Sequence, residues 1–280
     1  MTDICDLPHL EVVPLESLVL HEHRDPQRTP PLKESLFTSG ILRNPPIVLQ
    51  ISAKEDRYIV LDGANRVMAF IEAEIPHIVV QVVQVDDPDL ELASWNHVIW
   101  GIPPVKLLSL VRETPKIKIK SARAERNNFG LTHTYHVASI QLPDEKIYFA
   151  FTSVRNPEDR VIALNAIVDS YRILAQIDRT MVCQIELLFT LYPQLSGLVI
   201  LPSFTIEDVI DFVDAGYRFP PGVTRFKISP RVLRINYSLD ALKAPITTAE
   251  KKKNFQNWLQ SCLEQKSVRY YAESTFVFNE

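Results

Sequence analysis

The stretch Tyr58–Phe70, YIVLDGANRVMAF, constrains this chain more than any other. Tyr58-Ile59-Val60-Leu61 reads as a short buried strand, and Asp62-Gly63-Ala64-Asn65-Arg66 leads into a helix whose apolar face is Val67, Phe70 and Ile71. A strand, a tight glycine turn and a helix start together make an anion seat. The first helical N–H groups have no intrahelical partner, and the helix dipole adds partial positive charge there. Gly63 permits positive φ or close approach, and Arg66 offers a planar fork to phosphate. An ordinary β-turn-α connection with a surface arginine explains the same residues more simply. From this stretch alone it is the preferred reading.

The segments around it set the frame. Leu10–Val13 and Leu18–Leu20 read as strands, the second running into His21-Glu22-His23. Thr29-Pro30 starts a helix that Gly40 can end. Pro45-Pro46-Ile47-Val48-Leu49 begins another strand, and Ile78–Val85 is strongly β-branched. Asp87-Pro88 reads as a helix start, with Leu90, Ala93, Trp95 and His97 on that helix, broken by Gly101-Ile102-Pro103-Pro104 and resumed over Val105–Val111. A domain boundary is expected here, giving domains 1–100 and 101–280. Beyond it, Lys116-Ile117-Lys118-Ile119-Lys120 alternates as a half-buried strand, and Val137–Leu142 with Lys146–Ser153 reads as a strand pair. An amphipathic helix is expected from Asn156-Pro157 to about Arg179. Thr205 and Thr247 each open a helix with an acidic residue three positions on. Lys251-Lys252-Lys253 is expected on the polar face of the second of these, and the tail Arg269–Phe278 alternates like a strand.

Composition excludes several classes. The 280 residues carry a net charge of −4, which argues against a protein that coats nucleic acid. Its three cysteines, Cys5, Cys183 and Cys262, are far apart, so neither a disulfide framework nor a zinc site is expected, and a reducing cytoplasm is the expected compartment. No apolar run reaches membrane-spanning length, and the N-terminus lacks the pattern of a signal peptide. His21-x-His23 and His133-x-x-His136 lack acidic or cysteine partners nearby, which disfavours a metal reading.

Three pieces occur in a telling order: LVLHEHRDPQR, LKESLFTSGILRNPPIVL and YIVLDGANRVMAFIEAEIPHIVV. Together they resemble the ParB/sulfiredoxin-like nucleotide-binding domain, over about a third of the chain. Within that superfamily the chain is most similar to the free L-serine kinases, including the siderophore-associated type. His21-Glu22 resembles their loop with a catalytic glutamate, and Asp62-Gly63-x-x-Arg66 resembles their Asp-Gly-His-His-Arg loop. Ser94-Trp95-Asn96-His97 resembles a tryptophan segment of their serine pocket, and Pro221-Gly222-Val223-Thr224-Arg225 a late Thr-Arg-His segment. The departures are Ala64 and Asn65 in place of the loop histidines and Phe226 in place of the late one. Ala64 also stands where sulfiredoxins need cysteine, which argues against that chemistry.

The resemblance implies an α+β fold, with a ParB/sulfiredoxin-like domain followed by a mixed α/β domain and an active site in the cleft between them. It implies a kinase that moves a phosphoryl group from ATP or ADP to the hydroxyl of L-serine or a related hydroxy amino acid. Glu22 would be the general base. Asp62 would be catalytic and hold Mg²⁺, although a helix N-cap is an equally good use of it. Gly63, Ala64, Asn65 and Arg66 would bind the nucleotide with Asp62. Trp95, His97, Thr224 and Arg225 would bind the amino acid. Trp95 and His97 are more often core residues than ligand contacts, and Thr224 and Arg225 read equally as part of an ordinary strand pair. The alternative is a nucleotide-responsive regulatory or DNA-linked protein without turnover. Nucleotide and a small hydroxy amino acid are the expected partners, with no membrane and no nucleic acid in the leading reading. A homodimer is compatible with the sequence.

Overall fold

The computed structural model describes residues 7–23, 29–51, 56–122 and 134–271. The chain is a mixed α/β protein that separates into two compact units. One is built from residues 1–19, 26–87 and 229–280, the other from 20–25 and 88–228.

The first unit carries β1 (Leu10–Pro14), β2 (Leu18–Leu20), β3 (Ile41–Leu42), β4 (Ile47–Gln50), β5 (Tyr58–Asp62) and β6 (His77–Gln84). Five of these strands form one sheet in the order β1-β6-β4-β5-β2. β6 pairs antiparallel with β1 and parallel with β4, and β4 pairs antiparallel with β5. A strand flanked on both sides and buried on both faces is expected to be apolar throughout. The buried stretch of β6, residues 78–83, obeys this except at Gln81, which is buried in the middle of it. The helix Ala64–Glu72 follows β5 and buries Ala64, Val67, Ala69 and Phe70, whereas Ile71 is exposed.

The last part of the chain returns to this unit. Tyr237–Ser238 pairs antiparallel with β3, and the helix Thr248–Glu264 packs on β1. Thr247 and Glu250 form the expected capping box. Tyr237, Phe255 and Trp258 make a close aromatic cluster, with ring centroids 5.0–5.6 Å apart. Lys251 does not lie on the polar face. It is buried, and its ammonium donates to the Leu242 carbonyl at 2.6 Å and to His77 Nδ1 at 3.0 Å. Three consecutive helical residues span about 200° of the helix surface, so one member of a Lys-Lys-Lys run can face inward. The buried one finds hydrogen-bond partners there.

The second unit carries β7 (Glu91–Ser94), β8 (Asn96–Trp100), β9 (Lys118–Ser121), β10 (Thr134–Gln141), β11 (Ile147–Ser153), β12 (Gln176–Thr180), β13 (Leu195–Ile200) and β14 (Thr224–Lys227). Six form a sheet in the order β12-β8-β13-β10-β11-β9, with antiparallel pairing between all neighbours. β7 and β14 form a separate antiparallel pair. Helix Glu158–Arg172 buries Val161, Leu164, Ile167, Val168 and Tyr171 at helical spacing.

Three sequence expectations fail here. The helix expected after Asp87-Pro88 is instead β7 and β8. Asn96–Trp100 is paired along both edges, to β12 and β13, and that pairing outweighs the cap-like start. The helix expected to reach Arg179 ends at Arg172, and Gln176–Thr180 is strand. The contiguous division at 100/101 also fails. The chain leaves the first unit after Asp87, because β7 and β8 pair within the second, and it comes back at Ser229. Cys5, His133 and the tail from residue 272 onward lie outside the described residues.

Candidate active site

The expected site residues fall into two groups, one in each unit. The group in the first unit is the turn between β5 and the helix Ala64–Glu72. Gly63 takes the position before the helix with φ of +93°, in the left-handed region that favours glycine. A Cβ at Gly63 would lie 3.1 Å from Arg66 Cζ and 3.1 Å from Pro46 Cβ, so the turn also has little room.

Asp62 does not cap the helix, since no side chain caps it and Gly63 fills the cap position. The Asp62 carboxylate instead faces two guanidinium groups. Arg66 Nη2 lies 3.5 Å from Asp62 Oδ2, and Arg231 Nη2 donates to that same oxygen. The other Arg66 branch is also engaged. Nη1 donates to the carbonyls of Asn44 and Pro45 at 2.8 and 2.9 Å, tying the helix start to the loop before β4. Ala64 is buried, so this position faces the core, and Asn65 is only partly covered.

Arg231 was not singled out in the sequence. Its backbone is fixed by Gln81: Gln81 Nε2 donates to the Pro230 carbonyl at 2.9 Å, and Val232 N–H donates to Gln81 Oε1 at 2.9 Å. A buried primary amide needs both a donor and an acceptor partner, and the residues flanking Arg231 supply them. A lone glutamine inside the run IVVQVV was the one available signal. Nothing local pointed to its partner 149 residues away.

The group in the second unit is assembled around Glu22. The segment His21–His23 lies against Phe219: Phe219 N–H donates to the His21 carbonyl at 2.8 Å, and His23 N–H donates to the Phe219 carbonyl at 2.9 Å. One carboxylate oxygen of Glu22 then accepts the Gly222 N–H at 3.1 Å. His21, 1% exposed, shares a 2.7 Å hydrogen bond with the Thr224 hydroxyl. Phe226, at the position where the resemblance expects histidine, stands edge-on to the His21 ring at 5.3 Å.

Gly222 is held from its other side by His97. His97 Nε2 lies 3.2 Å from the Gly222 carbonyl, and Nδ1 lies 2.8 Å from the Tyr171 hydroxyl. A carbonyl only accepts, so Nε2 carries the proton and Nδ1 accepts from Tyr171. Burial pushes the His97 pKa down from 6.5 to about 4, with the Gly222 carbonyl opposing and nearby Arg179 adding to the fall. The ring is therefore neutral near pH 7. Its two nitrogens serve Tyr171 and Gly222, which makes it a residue that positions the Glu22 partner. Gly222 has φ of +78°, and a Cβ there would collide with the Arg179 guanidinium.

Trp95 and Arg225 meet directly. Residues 224–227 of β14 pair with 91–94 of β7, and Trp95 N–H donates to the Val223 carbonyl at 2.8 Å. The Arg225 guanidinium lies over the Trp95 ring, 4.3 Å from its centroid, a cation–π contact that helps hold the arginine in place. The second unit thus brings Glu22, Trp95, His97, Thr224 and Arg225 into one hydrogen-bonded and stacked neighbourhood. Tyr171 and Arg179 are members that sequence reasoning missed.

Comparison with known proteins follows the whole chain. No family model matches it. It is 24% identical over 277 residues to the ATP-dependent L-serine kinase SbnI of Staphylococcus aureus (strain NCTC 8325 / PS 47), covering 97% of this chain and 98% of that protein. Among solved structures, a C-terminally truncated SbnI from Staphylococcus aureus aligns with a TM-score of 0.68 at 21% identity, over 92% of this chain and 97% of that one. A variant free serine kinase in complex with AMP aligns with a TM-score of 0.68 at 15% identity, over 84% and 94% respectively. The chain therefore has the mixed α/β fold of these proteins. No helix among its described residues is long and apolar enough to cross a membrane.

Proposed function

We propose that the protein is a kinase for a free hydroxy amino acid, with L-serine as acceptor and ATP or ADP as phosphoryl donor. In this reading the chain is a divergent member of the ParB/sulfiredoxin-like superfamily, of the free-serine-kinase type. One observation carries the reading beyond overall likeness. The Glu22 carboxylate accepts a hydrogen bond from Gly222, 200 residues later, in the segment that also presents Thr224 and Arg225. These are two of the segments on which the sequence resemblance rests.

The roles divide by unit. In the second, Glu22 takes the proton from the acceptor hydroxyl as the oxygen attacks phosphorus. Gly222 occupies one carboxylate oxygen, which fixes the rotamer, and the other oxygen is the proton acceptor. Arg225, held over the Trp95 ring, binds the acceptor carboxylate. His97 positions Gly222, and Thr224 with His21 braces the same segment. In the first unit, the backbone N–H groups after Gly63 and the nearby guanidinium groups take the donor phosphates. Phosphoryl transfer depends mainly on positioning and charge neutralisation, so this equipment needs no covalent intermediate.

Mg²⁺ fits the donor set at Asp62. A carboxylate oxygen is a hard ligand, and Asp62 would hold Mg²⁺ once its oxygen is released from the guanidinium groups that share it, with phosphate oxygens and water as the remaining ligands. Bound there, it neutralises phosphate charge.

The test is direct. Purified protein incubated with Mg²⁺, L-serine and either ATP or ADP is expected to form O-phosphoserine, read by ³¹P NMR or mass spectrometry. Nucleotide binding without transfer to any of a panel of hydroxy amino acids would sink the kinase reading and leave the regulatory alternative.

A further inference from the structure

We propose that Arg231, which pairs with Asp62, is a phosphate-binding residue that exchanges onto the donor phosphates when nucleotide binds. The inference rests on the nucleotide reading of the Asp62–Arg66 turn and names a residue that this reading did not contain.

Three observations support it. First, Arg66 is already committed. Its Nη1 serves two backbone carbonyls, of Asn44 and Pro45, so swinging it onto a phosphate would strip the helix start of two charge-assisted bonds. Among the described residues Arg231 has no comparable commitment: its side chain pairs with the Asp62 carboxylate and is 45% exposed. Second, its backbone is held where its side chain is free to turn. Gln81 grips Pro230 and Val232 on either side, so the residue is delivered to the turn while its guanidinium remains at the surface. Third, the local charges do not cancel one another. Asp62 Oδ2 is shared by two arginines, leaving a net positive charge beside the positive end of a helix nine residues long. A polyphosphate arriving there is repelled by Asp62 and attracted by both arginines. Moving Arg231 from carboxylate to phosphate neutralises part of the phosphate charge, and it frees Asp62 for a cation brought in with the nucleotide.

The exchange breaks one salt bridge and forms another, so it predicts a specific pattern across ligands. Binding of adenosine, AMP, ADP and ATP would be measured by calorimetry in EDTA, on wild-type protein and on Arg231→Ala, Arg231→Lys and Asp62→Asn. Arg231→Ala is expected to weaken ADP and ATP about ten- to a hundredfold while leaving adenosine unchanged, as for loss of a charge-assisted hydrogen bond. Arg231→Lys, which keeps the charge and loses the fork, should fall between. Asp62→Asn should tighten metal-free ADP, because it removes both the competing partner and the repulsion. Two results overturn the inference while sparing the nucleotide reading. One is wild-type binding of ADP with an unaltered affinity in Arg231→Ala, or a loss shared equally by adenosine. The other is a metal-free ADP affinity that Asp62→Asn leaves unchanged or weakens. Wild-type protein that binds none of the four ligands overturns both.

Discussion

The turn after β5 and the neighbourhood of Glu22 solve opposite problems with opposite materials. The turn is partly exposed and built from full charges: one carboxylate between two guanidiniums, and a second pair of contacts from Arg66 to backbone carbonyls. The Glu22 neighbourhood is braced by neutral groups that water does not reach: a His97 ring 2% exposed, the hydroxyl of a fully buried Tyr171, and the peptide of Gly222. Charged contacts at a surface are individually weak and exchangeable. Buried neutral hydrogen bonds are costly to break. The first arrangement suits a place where a polyanion must arrive and leave. The second suits a place where one carboxylate must stay fixed.

The largest effect should come from the fixed carboxylate. Glu22→Gln keeps the shape and the Gly222 contact but removes the base, so the turnover number for phosphoserine formation is expected to fall roughly 10²–10⁴-fold. Nucleotide affinity should stay unchanged. A matching loss of nucleotide binding would erase the distinction between the two regions.

Next comes acid. The folded His97 has a pKa of about 4 against 6.5 for an ordinary histidine, so the folded protein binds fewer protons than the unfolded chain between those values. Its contribution is fully present above pH 6.5 and is lost as pH falls toward 4, by roughly 3 kcal/mol in all. Urea midpoints across that range should drop, and His97→Gln should flatten the slope. A slope that His97→Gln leaves untouched would remove the neutral-brace argument.

Gly222→Ala tests the same brace from the backbone. It asks for a left-handed alanine with its methyl in the Arg179 guanidinium. About 1–3 kcal/mol of stability should be lost, measured by urea denaturation, with a fall in phosphoserine formation at saturating nucleotide.

On the charged side, Arg66→Ala removes two bonds to the Asn44 and Pro45 carbonyls and is expected to cost about 2 kcal/mol. This loss should shrink in high salt only slightly, because the lost partners are carbonyls rather than ions. A strong salt dependence would instead assign the role of Arg66 to its pairing with Asp62.

Much of the first unit was legible because its signals are local. The strand Tyr58–Asp62, the glycine turn, the helix after it and the β-branched β6 all declare themselves within a few residues. The capping boxes at Thr205 and Thr247 did as well. What failed had distant causes. Trp95 and His97 were placed on a helix, since a cap-like Asp87-Pro88 precedes them, while pairing with β12, β13 and β14 decides the matter. Asp62 looked like a cap until Arg231, 169 residues on, supplied a better partner. Lys251 looked solvated until the Leu242 carbonyl and His77 were found beneath it. The Glu22–Gly222 contact was reachable only through resemblance, since no periodicity links residues 200 apart.

The return of residues 229–264 to the first unit carries a consequence for how the protein is made. On the ribosome, the phosphate turn and its sheet emerge early, yet Arg231, the strand Tyr237–Ser238 and the helix over β1 emerge only after the whole second unit has been synthesised. The second unit lacks only residues 20–25 from the early chain, and those are already present, so it can close on itself as soon as it is complete. The half that reads as the donor site must wait, its β1 edge and turn uncovered, until the last helix arrives to finish it.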